Sequence, residues 1–388
     1  MTLETIIKGM RTMHEFEPST LTREAAELAK SFQQIQGLAK SLYTAISKGW
    51  TSCSHPSHKV MIHLDDHLSS IRTKQKRLKK LTAPISFGLF LCSIDSGCHI
   101  WNEAAVQVIE RASHNAPHSS AMHTAGLKIP SISICAPPNS IAASPTIDEH
   151  VTDICKKVQE ARYQKQALSL RLSTDTLYIP TNKTNKPNDK SYKEYSSTID
   201  LGQFLAQTLN REEHQLGYKE RTNLALSLAC SILQLNSTQW FTGAWTKNAI
   251  YFFTKNATTF DIYSERPSIT QTVDNPGTEP DNGSKCPDPK AALLELGILL
   301  LEIWHHKPLE TWVEERGDQV NNSFDGRRSA AIRWLEVTQN KLPLNHLKAI
   351  EACLQFSAGR LREWDEDDFR KQVCEDIIRP LQENCKTW

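Results

Sequence analysis

The sequence predicts an α+β fold with a β-containing first half and a mainly helical second half. Three observations predict it. Short runs rich in β-branched and aromatic residues recur before residue 180. A long amphipathic helix is expected over 219–235, with Leu224, Leu228, Ile232 and Leu235 on one side. A segment apolar all round, ALLELGILLLEIW at 291–303, requires cover on every side. The chain divides into a helical N-terminal extension (1–48), a β-containing region with long loops (49–198) and a helical region (199–388).

Each element has its own signal. Over 20–48, Leu28, Phe32, Ile35, Leu42 and Ile46 recur at helical spacing and Gly49 follows, so this stripe must cover the rest of the chain or a partner. HKVMIHL (58–64) and ISFGLFLC (85–92) are expected as strands. Between them RTKQKRLKK (72–80) reads as a solvated loop, with a nuclear-import signal or anion patch as the alternatives. Prolines with Ser, His and Asn make 112–145 a long loop. A helix is expected over 147–163, with Thr146 and Glu149 as its capping box. ALSLRL and TLYIP form a hairpin through Ser173–Asp175, and TNKTNKPNDKSYKEYSS is a polar connection. A short helix (199–209), the long helix, strands at 249–253 and 258–263, and an exposed loop over 264–289 follow. After the apolar helix come helices at 344–356 and about 366–379, the last ended by Pro380. No internal repeat is visible.

Composition excludes several function classes. Hydrophobic content of 39% and charged content of 23% are those of a globular protein, and a net charge of +1 gives no electrostatic footprint for nucleic acid or a membrane surface. The first residues, MTLETIIKGMRTMHEFE, are too polar for a secretory signal, and no stretch is long and apolar enough to span a bilayer. Ten cysteines without a CxxC pair then read as reduced thiols in a cytoplasmic protein.

The local wording LALSLACSILQLNSTQWFTGAWTKNAIYFF, then LGILLLEIWHHKPLE, AIEACLQF and DEDDFRKQVCEDIIRPLQ, resembles a fungal family of kinase-like domains of unknown function, as does CSHPSHKVMIHLDD near the start. Members often carry this domain behind a helical region similar to the prion-inhibition and cell-death bundles of filamentous fungi. The resemblance covers roughly residues 40–385 and implies a protein-kinase-like two-lobed fold, with a small β-containing N-lobe and a helical C-lobe.

The residues that phosphoryl transfer needs are missing at the matching places. No G-x-G-x-x-G occurs, and neither early strand carries a central Lys, since Lys59 sits at a strand edge. The catalytic loop would fall in NSTQWFTGAWTKNAI, which has no His-Arg-Asp; the catalytic Asp position falls on Gly243 or Ala244, and neither accepts a proton. Asn248 and Asp261 stand near the spacing of a metal-binding pair, as a residual cofactor site, but Asp261 is followed by Ile-Tyr rather than Phe-Gly. The structural Asp of the apolar helix is replaced by Ala292. No catalytic residue and no cofactor is therefore assigned.

Three further groupings carry chemistry on paper. CSHPSHKVMIHLDDH gathers Cys53, His55, His58, His63, Asp65, Asp66 and His67; Cys53, His58 and His63 are conceivable zinc ligands. Their spacing matches no standard site and strand alternation sends some to opposite faces, so a turn and strand start is expected, with no metal. Trp240, Trp245 and Trp304 flank the degenerate loop, either as core packing or as a groove for a protein partner. The 264–289 loop takes the place of an activation segment, where Ser268, Thr270, Thr272, Thr278 and Ser284 are available for phosphorylation. The function expected is a non-catalytic, pseudokinase-type interaction or regulatory module in a fungal cell, acting on an unknown protein partner. The alternatives are a divergent nucleotide-dependent enzyme and a remnant of fungal self-recognition or cell-death signalling.

Overall fold

Thr22 starts the first described helix by accepting the Ala25 amide on its hydroxyl (3.2 Å), and α1 (Arg23–Lys48) ends where the Gly49 amide turns back on Ala45. The computed structural model describes residues 22–53, 55, 57–68, 85–95, 98–109, 148–180, 192–254, 262–263, 266–274, 287–319 and 321–386. The chain continues through β1 (Ser57–His63), β2 (Ser86–Asp95), β3 (Cys98–Val108), β4 (Glu149–His150), α2 (Ile154–Tyr163), β5 (Leu168–Ser173), β6 (Thr176–Ile179), β7 (Glu194–Tyr195) and β8 (Thr198–Asp200). Then come α3 (Leu201–Thr208), α4 (Tyr218–Leu235), β9 (Ile250–Phe253), β10 (Ser268–Asp274), α5 (Pro289–His305), α6 (Leu309–Glu314), α7 (Phe324–Thr338), α8 (Leu344–Ala358), α9 (Asp367–Val373) and α10 (Arg379–Lys386). The fold is mixed α and β.

Among the described residues ten strands form one sheet in the order β4-β6-β5-β3-β2-β1-β10-β9-β8, with β7 paired to β3 at Trp101 and Asn102. Every pairing is antiparallel except β3 with β5, which run parallel. A parallel pair needs a crossover, and α2 lies on that connection. The sheet takes strands from both sides of residue 198, so the region boundary expected there crosses a continuous hydrogen-bonded structure.

Several expectations are corrected. The N-terminal helix is no appendage: Leu28, Phe32, Ile35, Ala39, Leu42 and Ile46 are buried, and the helix packs on α4 first, then on β6 and α9. Its stripe is covered by the rest of the chain. Residues 98–108, for which no strand was expected, form β3; the buried alternation Ala104, Val106, Val108 is period two, but Ala, Asn and Glu dilute its β signal. The helix after residue 147 starts later, because Asp153 accepts the Lys156 amide (2.9 Å) while Glu149 is in β4; Thr146 lies outside the described residues.

The largest correction concerns 264–289. Its stretch SITQTVD is β10, an interior strand paired along its whole length with β1, from Ser57 opposite Asp274 to His63 opposite Ser268. Prolines and polar residues on both flanks mask seven residues of ordinary β-branched character. Ser268 is fully buried, which removes it as a phosphorylation site. Thr278 and Ser284, the basic run 72–80 and the loop 112–145 lie outside the described residues, as does most of the strand expected over 258–263. Pro380 does not end the last helix. A π turn over Cys374–Ile378 places the Arg379 amide on the Cys374 carbonyl, and α10 continues through the proline. Such a widened turn accommodates a residue with no amide to donate.

The helical half packs on α5. Asp288 caps it, Pro289 occupies its first turn, and His306 closes it at φ 52°. Gly297 lets α8 approach: a Cβ there would lie 3.1 Å from that of Cys353.

Candidate functional site

The segment after α4 is built of packing residues. Asn236 closes the helix with its side-chain amide on the carbonyls of Ile232 (3.1 Å) and Leu233 (2.8 Å). Gln36 of α1 donates to the Asn236 side-chain oxygen at 2.7 Å and also to its backbone carbonyl. Trp240 is fully buried, donates its indole N–H to the Ala39 carbonyl (2.9 Å) and meets Tyr43 edge-on. Trp245 is buried against Phe241. Trp304 is half-buried elsewhere, between Tyr218 and His346, with its indole N–H on the Lys341 carbonyl (3.1 Å). Two of the three tryptophans offered as a partner groove thus have no surface for a partner, and the third packs among different neighbours.

Gly243 and Ala244, where the resemblance would place a catalytic base, carry no proton-accepting side chain. The exposed Asn248 turns toward α3, where a Cβ on Gly202 would lie 2.4 Å from its Oδ1. Asp261 lies outside the described residues.

Lys247 does not face solvent. Its ammonium meets Glu302 Oε1 (2.8 Å) and Glu310 Oε2 (2.6 Å). Arg327 joins Glu310 to Glu295, gripping Glu295 with two parallel bonds of 2.8 and 2.7 Å. Glu302 also accepts the Leu309 amide at 2.8 Å. The two acids of the apolar helix are therefore paired in the interior, tying the loop to α5, α6 and α7. Burial pushes the Glu302 carboxyl above its ordinary range, and Lys247 pulls it back. Desolvation opposes the Lys247 charge, yet Glu302 and Glu310 hold its pKa above the usual lysine value. This arrangement does structural work: the cation neutralises buried carboxylates.

A second cluster lies at the junction of α1, β1 and α2. Cys53, His55, His58 and Cys155 each point one ligand atom inward, and all four atoms lie within 4.8 Å of one another. Cys53 Sγ is 2.9 Å from His55 Nδ1; Cys155 Sγ is 3.9 Å from His55 Nδ1 and 3.4 Å from His58 Nδ1. Burial and the neighbouring His55 keep His58 below the ordinary histidine value. Burial and the Cys53 thiol push Cys155 up to about 12. These four residues could hold a metal, at the place where the sequence pointed to a turn and strand start.

The sequence pointed to Cys53 and His58 but also to His63, five residues along β1 from His58 and hence on its other face. Asp65 and Asp66 instead cap the following turn, accepting the amides of His67 (3.0 Å) and Leu68 (2.9 Å). Sequence reasoning missed Cys155, which lies outside any local motif; only the start of α2 brings it in.

A family model described as a domain of unknown function (DUF7580) matches residues 29–388, from within α1 to the C-terminal end. No curated protein and no solved structure matches the chain. The match spans the sheet, the helical half and both clusters described above, and the chain belongs to the DUF7580 family.

Proposed function

We propose that this chain is a non-catalytic, kinase-like module that acts in a fungal cell by binding another protein. The order of elements supports the kinase-like part: paired strands, a crossover helix, a hairpin, a short and a long helix, a strand and a buried helix. The observation that carries the non-catalytic part is the use of the loop between α4 and β9. Its aromatic side chains are core, its only cation neutralises Glu302 and Glu310, and Gly243 and Ala244 stand where a base would be needed. Phosphoryl transfer depends on positioning and charge stabilisation, and this loop commits its charge elsewhere.

Incubation of the purified chain with γ-labelled ATP, Mg²⁺ or Mn²⁺, and generic protein substrates tests the reading. No label transferred to substrate or to the chain itself is the expected result. Transfer that disappears in Asn248→Ala would overturn it in favour of a divergent nucleotide-dependent enzyme.

A further inference from the structure

We infer that Cys53, His55, His58 and Cys155 form a structural zinc site that staples the first turn of α2 to the junction between α1 and β1. The donor set is two thiols and two imidazoles, the chemistry that selects zinc among common divalent ions. Zinc bonded to S and N at about 2.0–2.3 Å makes a tetrahedron with edges of about 3.3–3.8 Å. The sulfur–nitrogen separations of 2.9, 3.4 and 3.9 Å bracket those edges. Four protein ligands leave no open position, so the site is structural rather than catalytic.

The backbone around the cluster is held as a ligand shell needs. His58 sits in β1 in register with Val273 of β10, and its ring is stacked on Trp50 at 4.3 Å. The Cys53 amide donates to the Trp50 carbonyl at 3.0 Å. The Ile154 amide donates to the Gly49 carbonyl at 2.8 Å, which sets Cys155 beside the other three. A Cβ on Gly49 would fall 2.5 Å from Ile154 Cδ1, so a side chain there would displace Ile154 beside the cluster.

The fold gives this staple a task. Among its ten residues α2 buries only Ile154 and Val158, a small apolar face for a helix that must hold a parallel crossover. His58 and Cys155 are 97 residues apart, and closing a loop of that length restricts the unfolded chain. The inference stands independently of the kinase-like reading.

Metal content of the full chain, expressed with zinc and purified under reductant, is the first test. About one zinc per chain is expected. Exchange for Co²⁺ should give the intense sulfur-to-cobalt charge-transfer and tetrahedral d–d bands of a Cys₂His₂ site. Cys155→Ser should abolish the charge-transfer pattern of two thiolates, and His63→Ala should leave the spectrum unchanged. His55 is exposed, so His55→Ala spares the core and should lower cobalt affinity at least about tenfold. A chelator should lower the melting temperature of the wild type and not that of Cys155→Ser. Absence of zinc and of a cobalt spectrum in the reduced wild type, a Cys53–Cys155 disulfide persisting under reductant, or an unchanged spectrum in Cys155→Ser would each overturn the proposal.

Discussion

Single side chains in this protein carry consequences that their chemistry makes measurable. Lys247 is the sharpest case. Replacing it by Met leaves Glu302 buried with its charge uncompensated, which costs about 3–5 kcal/mol. Adding Glu302→Gln removes that charge while keeping an acceptor for the Leu309 amide. The double variant should recover most of the loss, and a urea-unfolding cycle over the two positions measures the coupling. Trp240→Phe removes the donor to the Ala39 carbonyl and should cost about 1–3 kcal/mol by the same assay. His346 provides a pH test. It is fully buried, lies tilted against Trp304, donates Nε2–H to the Leu300 carbonyl (3.1 Å) and is held by burial at about 4. Because its folded pKa lies below the unfolded value, its contribution is complete above about pH 6.5 and is lost as pH falls toward about 4. Between pH 7 and 5 it should account for about 2 kcal/mol of lost stability, and His346→Gln should remove that share of the pH dependence.

At the scale of elements, the hydrophobic periodicity was a good guide wherever a helix was long. The stripe from Leu28 to Ile46 and the apolar run of α5 both fold as their spacing demands. What periodicity could not give was the partner of each face. The α1 stripe is satisfied within the chain, so making it polar should unfold the protein rather than release a binding partner. Strands were harder. β10 is pinned by β1, far away in sequence, and β3 by its hairpin neighbour β2 and by the distant β5, while their own β signal is diluted by Asn and Glu in β3 and by flanking prolines around β10. The candidate metal centre shows the same limit: Cys53 and His58 are legible beside each other, while Cys155 enters only through the docking of α2. β10 also supplies a direct test. Ile269 is 2% exposed, so Ile269→Asp should abolish cooperative folding, whereas an exposed loop would tolerate it. Circular dichroism melts of the two proteins decide the matter.

The whole molecule is organised by one sheet that draws β1 to β7 from the first half and β8 to β10 from beyond the middle, with β10 inserted next to β1. The α1 helix reaches from the opposite direction, its Thr22 hydroxyl donating to Glu375 at 2.6 Å near the C-terminal end. Sheet and helices are therefore coupled by long-range contacts, and tryptophan fluorescence and far-ultraviolet circular dichroism should report one coincident unfolding transition. Within this frame the loop after α4 packs its aromatic side chains inside and pairs Lys247 with Glu302 and Glu310, and the proposed non-catalytic role rests on that use. Thermal unfolding of the wild type with millimolar ATP or ADP, with and without Mg²⁺, addresses it most directly, because a ligand that binds only the folded chain must raise the midpoint. The account predicts no shift under any of these conditions. A Mg²⁺-dependent rise in the midpoint would contradict it.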